Sequence, residues 1–124
     1  MRFIPTRIHG VLDYLYSALL LAAPWLFGFA DGGALQWLSM LGGAGTLIMS
    51  LLTDYEFSLR RWIYLPSHLA IDVVAGLGLC GAAYLMGDPD GHWLVLAGAG
   101  LFSAFAGGFT LAAPSYAPAD VLRV

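Results

Sequence analysis

The sequence predicts an all-α membrane protein of four transmembrane helices, arranged as two tandem two-helix repeats. Three observations predict it: a composition too apolar for water, four apolar runs of spanning length, and a His/Asp/Gly pattern that recurs at one fixed offset. Of the 124 residues, 60% are hydrophobic and 10% charged, and the mean hydropathy is +0.79. A soluble domain of this length cannot cover that much apolar surface with polar groups. The implied solvent is the lipid bilayer, and the implied location is the cell (inner) membrane, crossed several times.

The first span reads from Ile8 to Phe29 and stops at Asp31-Gly32-Gly33, where glycine permits backbone that a helix does not use. The second reads from Leu35 to Thr53. A polar segment with Asp54, Glu56, Arg60 and Arg61 follows, and Pro66-Ser67 opens a third span over 67–86. Asp88-Pro89-Asp90-Gly91 makes the next turn, the fourth span covers 92–111, and Pro114 and Pro118 mark a nonhelical tail. Two units result, residues 1–56 and 57–124. His9 and Asp13 near the start of the first run, its length, and the three runs that follow argue against a secretory signal.

Arginine placement sets the orientation. Arg2 and Arg7 precede span one, Arg60 and Arg61 lie between spans two and three, and Arg123 follows span four, while the other two loops carry only acids. Positive flanks stay cytoplasmic, so both termini are expected there.

A shift of 59 residues lays His9 on His68, Asp13 on Asp72, Gly28 on Gly87, Asp31 on Asp90, Gly32 on Gly91 and Leu35 on Leu94, with no gap needed. An even number of spans per copy makes both copies enter from the same side, so the expected symmetry is a pseudo-two-fold along the membrane normal. The two His/Asp pairs then share one depth near the cytoplasmic face.

Ala23-Pro24-Trp25, followed by Leu26-Phe27-Gly28-Phe29, resembles the motif of the SPW-repeat membrane proteins. The His9-to-Asp13 opening, the tandem arrangement and the Leu51-Leu52-Thr53-Asp54-Tyr55-Glu56 exit of span two extend the resemblance over nearly the whole chain. It implies a small bacterial membrane protein with two helices per repeat and no established activity. Alanine stands in the serine place, and the second copy has Ala82-Ala83-Tyr84 there.

His9/Asp13 and His68/Asp72 are spaced i, i+4, so each pair shares a helix face. From Asp13 to the next charge, Asp31, there are only 17 intervening residues, or ~25 Å of helix, less than a ~30 Å hydrocarbon layer. Each aspartate should therefore face protein or water, with a partner. Two imidazoles and two carboxylates suit a first-row metal ion, two imidazoles suit a haem, and the set also suits proton or ion movement. The plainer reading is that the pairs hydrogen-bond across helices and pin them together, with no cofactor.

Pro24 is expected to bend or weaken the outer end of span one. The tryptophans at 25, 37, 62 and 93 and the tyrosines at 14, 55, 64 and 84 are read as an interfacial belt, and His92 as a solvated interfacial residue. Gly100, Ala104 and Gly108, with Gly78 and Ala82, form small-residue stripes that let helices approach, within the chain or with a second copy or another membrane protein. Five arginines and no lysine exclude a nucleic-acid surface, and the lone Cys80 excludes an internal disulfide. No phosphate loop or nucleophile constellation is present. The expected function is thus a non-enzymatic structural or interaction module, the alternative being a cation, haem or proton site at His9, Asp13, His68 and Asp72.

Overall fold

The computed structural model describes residues 1–114 and contains four helices: α1 (Thr6–Leu26), α2 (Ala34–Leu52), α3 (Leu65–Met86) and α4 (Trp93–Phe109). Arg123 and Pro118 lie outside the described residues. Two of the helices, α2 and α3, are long and apolar enough to cross a membrane. The faces turned away from the bundle carry large apolar side chains, among them Leu15, Trp25, Leu41, Ile48, Val74 and Leu85.

Helix α1 starts directly after Pro5, whose extended backbone ends the preceding segment. It finishes earlier than expected, at Leu26, because Gly28 takes φ +81° and cannot continue a helix. Pro24 lies within its last turn. A proline there leaves the carbonyl four residues back without its N–H, and Ser39 Oγ of α2 donates to that Leu20 oxygen at 2.7 Å. The missing backbone bond has become a tie between two helices.

Each helix pair forms a hairpin around glycines. A Cβ on Gly43 would stand 2.9 Å from Ser17 O and Leu21 N of α1. A Cβ on Gly100 would collide with Gly76 O and come within 2.8 Å of Cys80 N of α3. Only glycine permits this approach. The close contact on α3 is made by Gly76 and not by Gly78 or Ala82. On α4, Gly107, pressed on Leu69 O and Asp72, takes the place expected for Gly108.

The buried stripe of α1 runs Thr6, His9, Asp13, Ser17, Leu20, Ala23, and that of α3 runs Leu65, His68, Asp72, Gly76, Leu79, Ala83. The spacing is that of one helix face. The half that leads to the Asp31 and Asp90 turns is filled by Tyr16, Leu20, Ala23, Phe29, Leu79, Ala83 and Leu96. Tyr55, Leu65 and Leu69 fill the opposite end, and the four polar residues lie between. Tyr55 is fully buried, its ring against Gly10, and so does not belong to an interfacial belt; Trp25, Trp37 and Trp62 point outward.

The ends of the two hairpins are laced together. Ile4 pairs with Thr110 and Ile63 with Thr53, each as a single parallel β-bridge. Phe109 O accepts from the N–H groups of Phe3 and Ile4 at 2.8 and 3.0 Å, and Leu52 O from those of Trp62 and Ile63 at 2.9 and 2.8 Å. Ile4 and Ile63 keep the offset of 59, but Thr53 and Thr110, like Gly43 and Gly100, are 57 apart. The gapless alignment does not extend past Leu35, because α4 has 17 residues where α2 has 19.

Candidate functional site

Helices α1 and α3 face each other diagonally, with no pair of Cα atoms within 8 Å. Four side chains fill the space between them. His9 is 1% exposed, His68 0%, Asp13 6% and Asp72 7%. The sequence pairs each histidine with the aspartate on its own helix; the structure brings each histidine to both. His9 Nε2 lies 3.4 Å from Asp13 Oδ2 and 3.1 Å from Asp72 Oδ2, and His68 Nε2 lies 3.2 Å from each of the same two oxygens. The imidazole rings stand nearly perpendicular, at 78°, with centroids 5.6 Å apart.

The outer nitrogens of both rings are held by threonines that sequence reasoning passed over. Thr53 Oγ1 is 2.6 Å from His68 Nδ1, and Thr110 Oγ1 is 2.9 Å from His9 Nδ1. Each hydroxyl already donates its proton one turn back, Thr53 to Met49 O at 2.7 Å and Thr110 to Ala106 O at 2.6 Å. A hydroxyl has one proton, so towards the histidine it accepts, and Nδ1 carries the hydrogen. In the neutral imidazole, Nε2 then presents a lone pair.

With the imidazoles neutral, two ring lone pairs and two carboxylate oxygens converge on one point, all four atoms lying within 4.8 Å of one another. Nε2 of both histidines and Oδ2 of Asp72 have no hydrogen bond of acceptable direction despite these short separations. Ser50 Oγ reaches Asp13 Oδ2 at 3.3 Å but is nearer to Thr46 O, at 2.8 Å. Buried acceptors facing one another are unfavourable unless a positive charge sits among them. Tyr55 packs beside the His68 ring, with centroids 6.1 Å apart, and burial pushes its hydroxyl above the usual phenol range.

The other sequence candidates lie apart from this cluster. Ala23 and Pro24 are buried near the far end of α1, and Trp25 faces outward. His92 is not a solitary solvated side chain: its Nδ1 pairs with Asp88 Oδ2 at 2.7 Å and its ring leans on Phe29. Asp88 Oδ1 also accepts the Trp93 N–H at 2.9 Å, which fastens the start of α4. In comparisons with known proteins, no family model, no curated protein and no solved structure matches the chain.

Proposed function

We propose that this chain is a four-span membrane protein that holds one divalent first-row cation, Zn²⁺ foremost, in a His₂Asp₂ site formed by His9, Asp13, His68 and Asp72. The observation that carries the reading is the convergence of two threonine-fixed Nε2 lone pairs on two carboxylate oxygens. Zinc bonds of ~2.0 Å to nitrogen and oxygen put tetrahedral ligands ~3.3 Å apart, and the four histidine–carboxylate separations are 3.1–3.4 Å. Two carboxylates and a divalent ion sum to zero charge, which suits a low-dielectric interior. The threonines supply the outer support that ligating histidines usually have.

Haem fits poorly, since the carboxylate oxygens stand between the two imidazoles and leave no plane for a porphyrin. With all four positions taken by protein, the centre suits holding an ion and tying α1 to α3, and it offers no open position for catalysis. Cation binding and the structural role are then one device. The same proposal includes the tandem-repeat architecture with its pseudo-two-fold along the membrane normal, supported by the paired bridges and paired glycine contacts. It also includes cytoplasmic termini, supported by the arginines, an inner-membrane location, and membership of the SPW-repeat proteins, supported by the Ala23-Pro24-Trp25 segment.

The test is metal content. Protein stripped with chelator in detergent, reloaded with Zn²⁺ and desalted should retain one ion per chain, and Co²⁺ in its place should give the intense visible bands of a tetrahedral centre. His68→Ala should retain none. Wild-type protein that stays metal-free under these conditions would sink the proposal.

A further inference from the structure

Two lateral grooves flank the bundle in equivalent places, one between α1 and α4 and one between α2 and α3. The first, of about 520 Å³, is walled by apolar side chains. Tyr16 and Phe102 stack across it with ring centroids 6.0 Å apart, and Asp13 does not line it. The second, of about 380 Å³, has Ala75 and Gly45 at the corresponding positions, offset by 59 and 57 residues, and it reaches Asp72. Tyr16 edges this second groove as well, which is the smaller of the two, and what sets it apart is that it ends on a carboxylate.

Two glycines of this second groove, Gly45 and Gly78, do not serve helix packing. Those that do, Gly43, Gly76, Gly100 and Gly107, press on backbone or Cβ atoms of the facing helix, whereas nothing lies within 4 Å of a Cβ built on Gly45 or Gly78. Smallness here keeps a slot open between two helices. At its polar end Asp72 turns Oδ2 into the four-residue cluster, and among the described residues no hydrogen bond reaches its Oδ1. An apolar cleft of a few hundred Å³ with one convergent polar group is the usual form of a small-molecule site.

We propose that the α2/α3 groove binds a membrane-dissolved amphiphile with a flat, hydroxyl-bearing ring, of the phenol or hydroquinone class. Its hydroxyl donates to Asp72 Oδ1, its ring lies between Gly45 and Gly78, and its chain follows Leu38, Leu41 and Leu79. The neutrality of the head rests on the cation reading above: a divalent ion already balances both carboxylates, so Asp72 calls for a donor and not for a second positive charge.

The experiment titrates full-length, Zn²⁺-loaded protein in nanodiscs with decylhydroquinone, following melting temperature and, in parallel, zinc content. A saturable rise is expected for wild type and for Gly98→Phe, which lies in the other groove. Binding should weaken at least about tenfold in Asp72→Asn, the effect of replacing a charged acceptor by a neutral one in that hydrogen bond, and disappear in Gly45→Phe with zinc retained. Ala75→Tyr, which places in this groove the tyrosine that stands at the matching position of the first, serves as the second filling variant should Gly45→Phe not fold. Equal binding to wild type and the filled variants, no binding to wild type, or preference for decylamine would overturn the proposal. So would a dimer that Gly45→Phe dissociates, since a second copy would then occupy the groove. Hydroquinone binding by a wild-type protein that holds no zinc would uphold the groove and overturn the cation site alone.

Discussion

Thr110 Oγ1 lies 2.9 Å from His9 Nδ1, across 101 residues of chain, and Thr53 does the same for His68. Each hairpin thus ends in a threonine that orients the histidine beginning the other. Neither half can set its own histidine without its partner.

Thr53→Val and Thr110→Val keep the side-chain shape but remove the acceptor, leaving a buried Nδ1–H unpaired and the ring free to turn. Zinc affinity should fall ~10–100-fold in each, the range for lost supports of ligating histidines. Thr→Ser at either position should keep most of it. Competition against a fluorescent chelator measures both, and wild-type affinity in the valine variants would show that the threonines do not orient the rings.

The helices and the two His/Asp pairs were legible in the sequence because apolar length and the offset of 59 both survive as linear patterns. The cross-pairing was not: i, i+4 spacing reports neighbours on one helix and carries nothing about a helix met diagonally. Thr53 and Thr110 escaped for a nameable reason. The offset of 59 pairs Thr53 with Ala112, and only the shift to 57 within the second helix of each copy reveals the match. The small-residue stripes gave the right helices and, on α4, the right Gly100 and Ala104, but Gly78 in place of Gly76 on α3, since composition cannot say which of these two faces α4.

Asp72 Oδ2 faces His9 Nε2 at 3.1 Å and His68 Nε2 at 3.2 Å, so Asp72→Ala strips one contact from each histidine. With the imidazoles protonated, each Nε2–H then loses an acceptor, at a cost of about 1–3 kcal/mol, although bonds within membranes average nearer ~0.6 kcal/mol. The proper comparison is Asp90→Ala, in an exposed turn, and not Asp88→Ala, because Asp88 is engaged with Trp93 and His92. Melting in detergent should show Asp72→Ala clearly the more damaging. Equal effects would mean that the cluster does not tie the helices.

Partial burial pushes the Asp88 carboxyl up, but the N–H groups of Trp93 and His92 and the His92 imidazole outweigh it and hold the group below the ordinary carboxylate value of 3.8. A depressed carboxyl stabilises the fold above its unfolded-state value and loses that contribution as pH falls through the folded-state value. Acid should therefore loosen the α3/α4 turn below pH ~4. Asp88→Asn should flatten this part of the stability profile, read by hydrogen exchange at the Trp93 amide; an unchanged profile would remove Asp88 as its source.

The orientation can be read with a single cysteine. Gly32 is unsuitable because it holds φ +79°, which strains any side chain; Ala30, exposed in the same loop, is free of that constraint. With Cys80 replaced by alanine, Ala30→Cys should react with an impermeant maleimide in intact cells. Reaction only after lysis would reverse the membrane orientation.

The cation reading also couples metal to stability. An ion that binds the folded chain alone stabilises it by RT ln(1 + [L]/Kd), about 2.7 kcal/mol when free Zn²⁺ is 100-fold above Kd. The melting temperature should therefore climb with zinc and fall back on chelation. Acid should erase the gain, because both imidazoles must release the Nε2 proton before that nitrogen can ligate, so protons and zinc compete for the same lone pairs. Protonated histidines would still pair with the two aspartates, so the stripped protein should stay folded as the zinc-dependent increment vanishes. His9→Gln keeps a polar side chain but removes one ligand, and its melting temperature should hardly respond to zinc at any pH. A zinc response as large in His9→Gln as in wild type would place the ion elsewhere, with the partly exposed Asp88, Asp90 and His92 group as the next place to look.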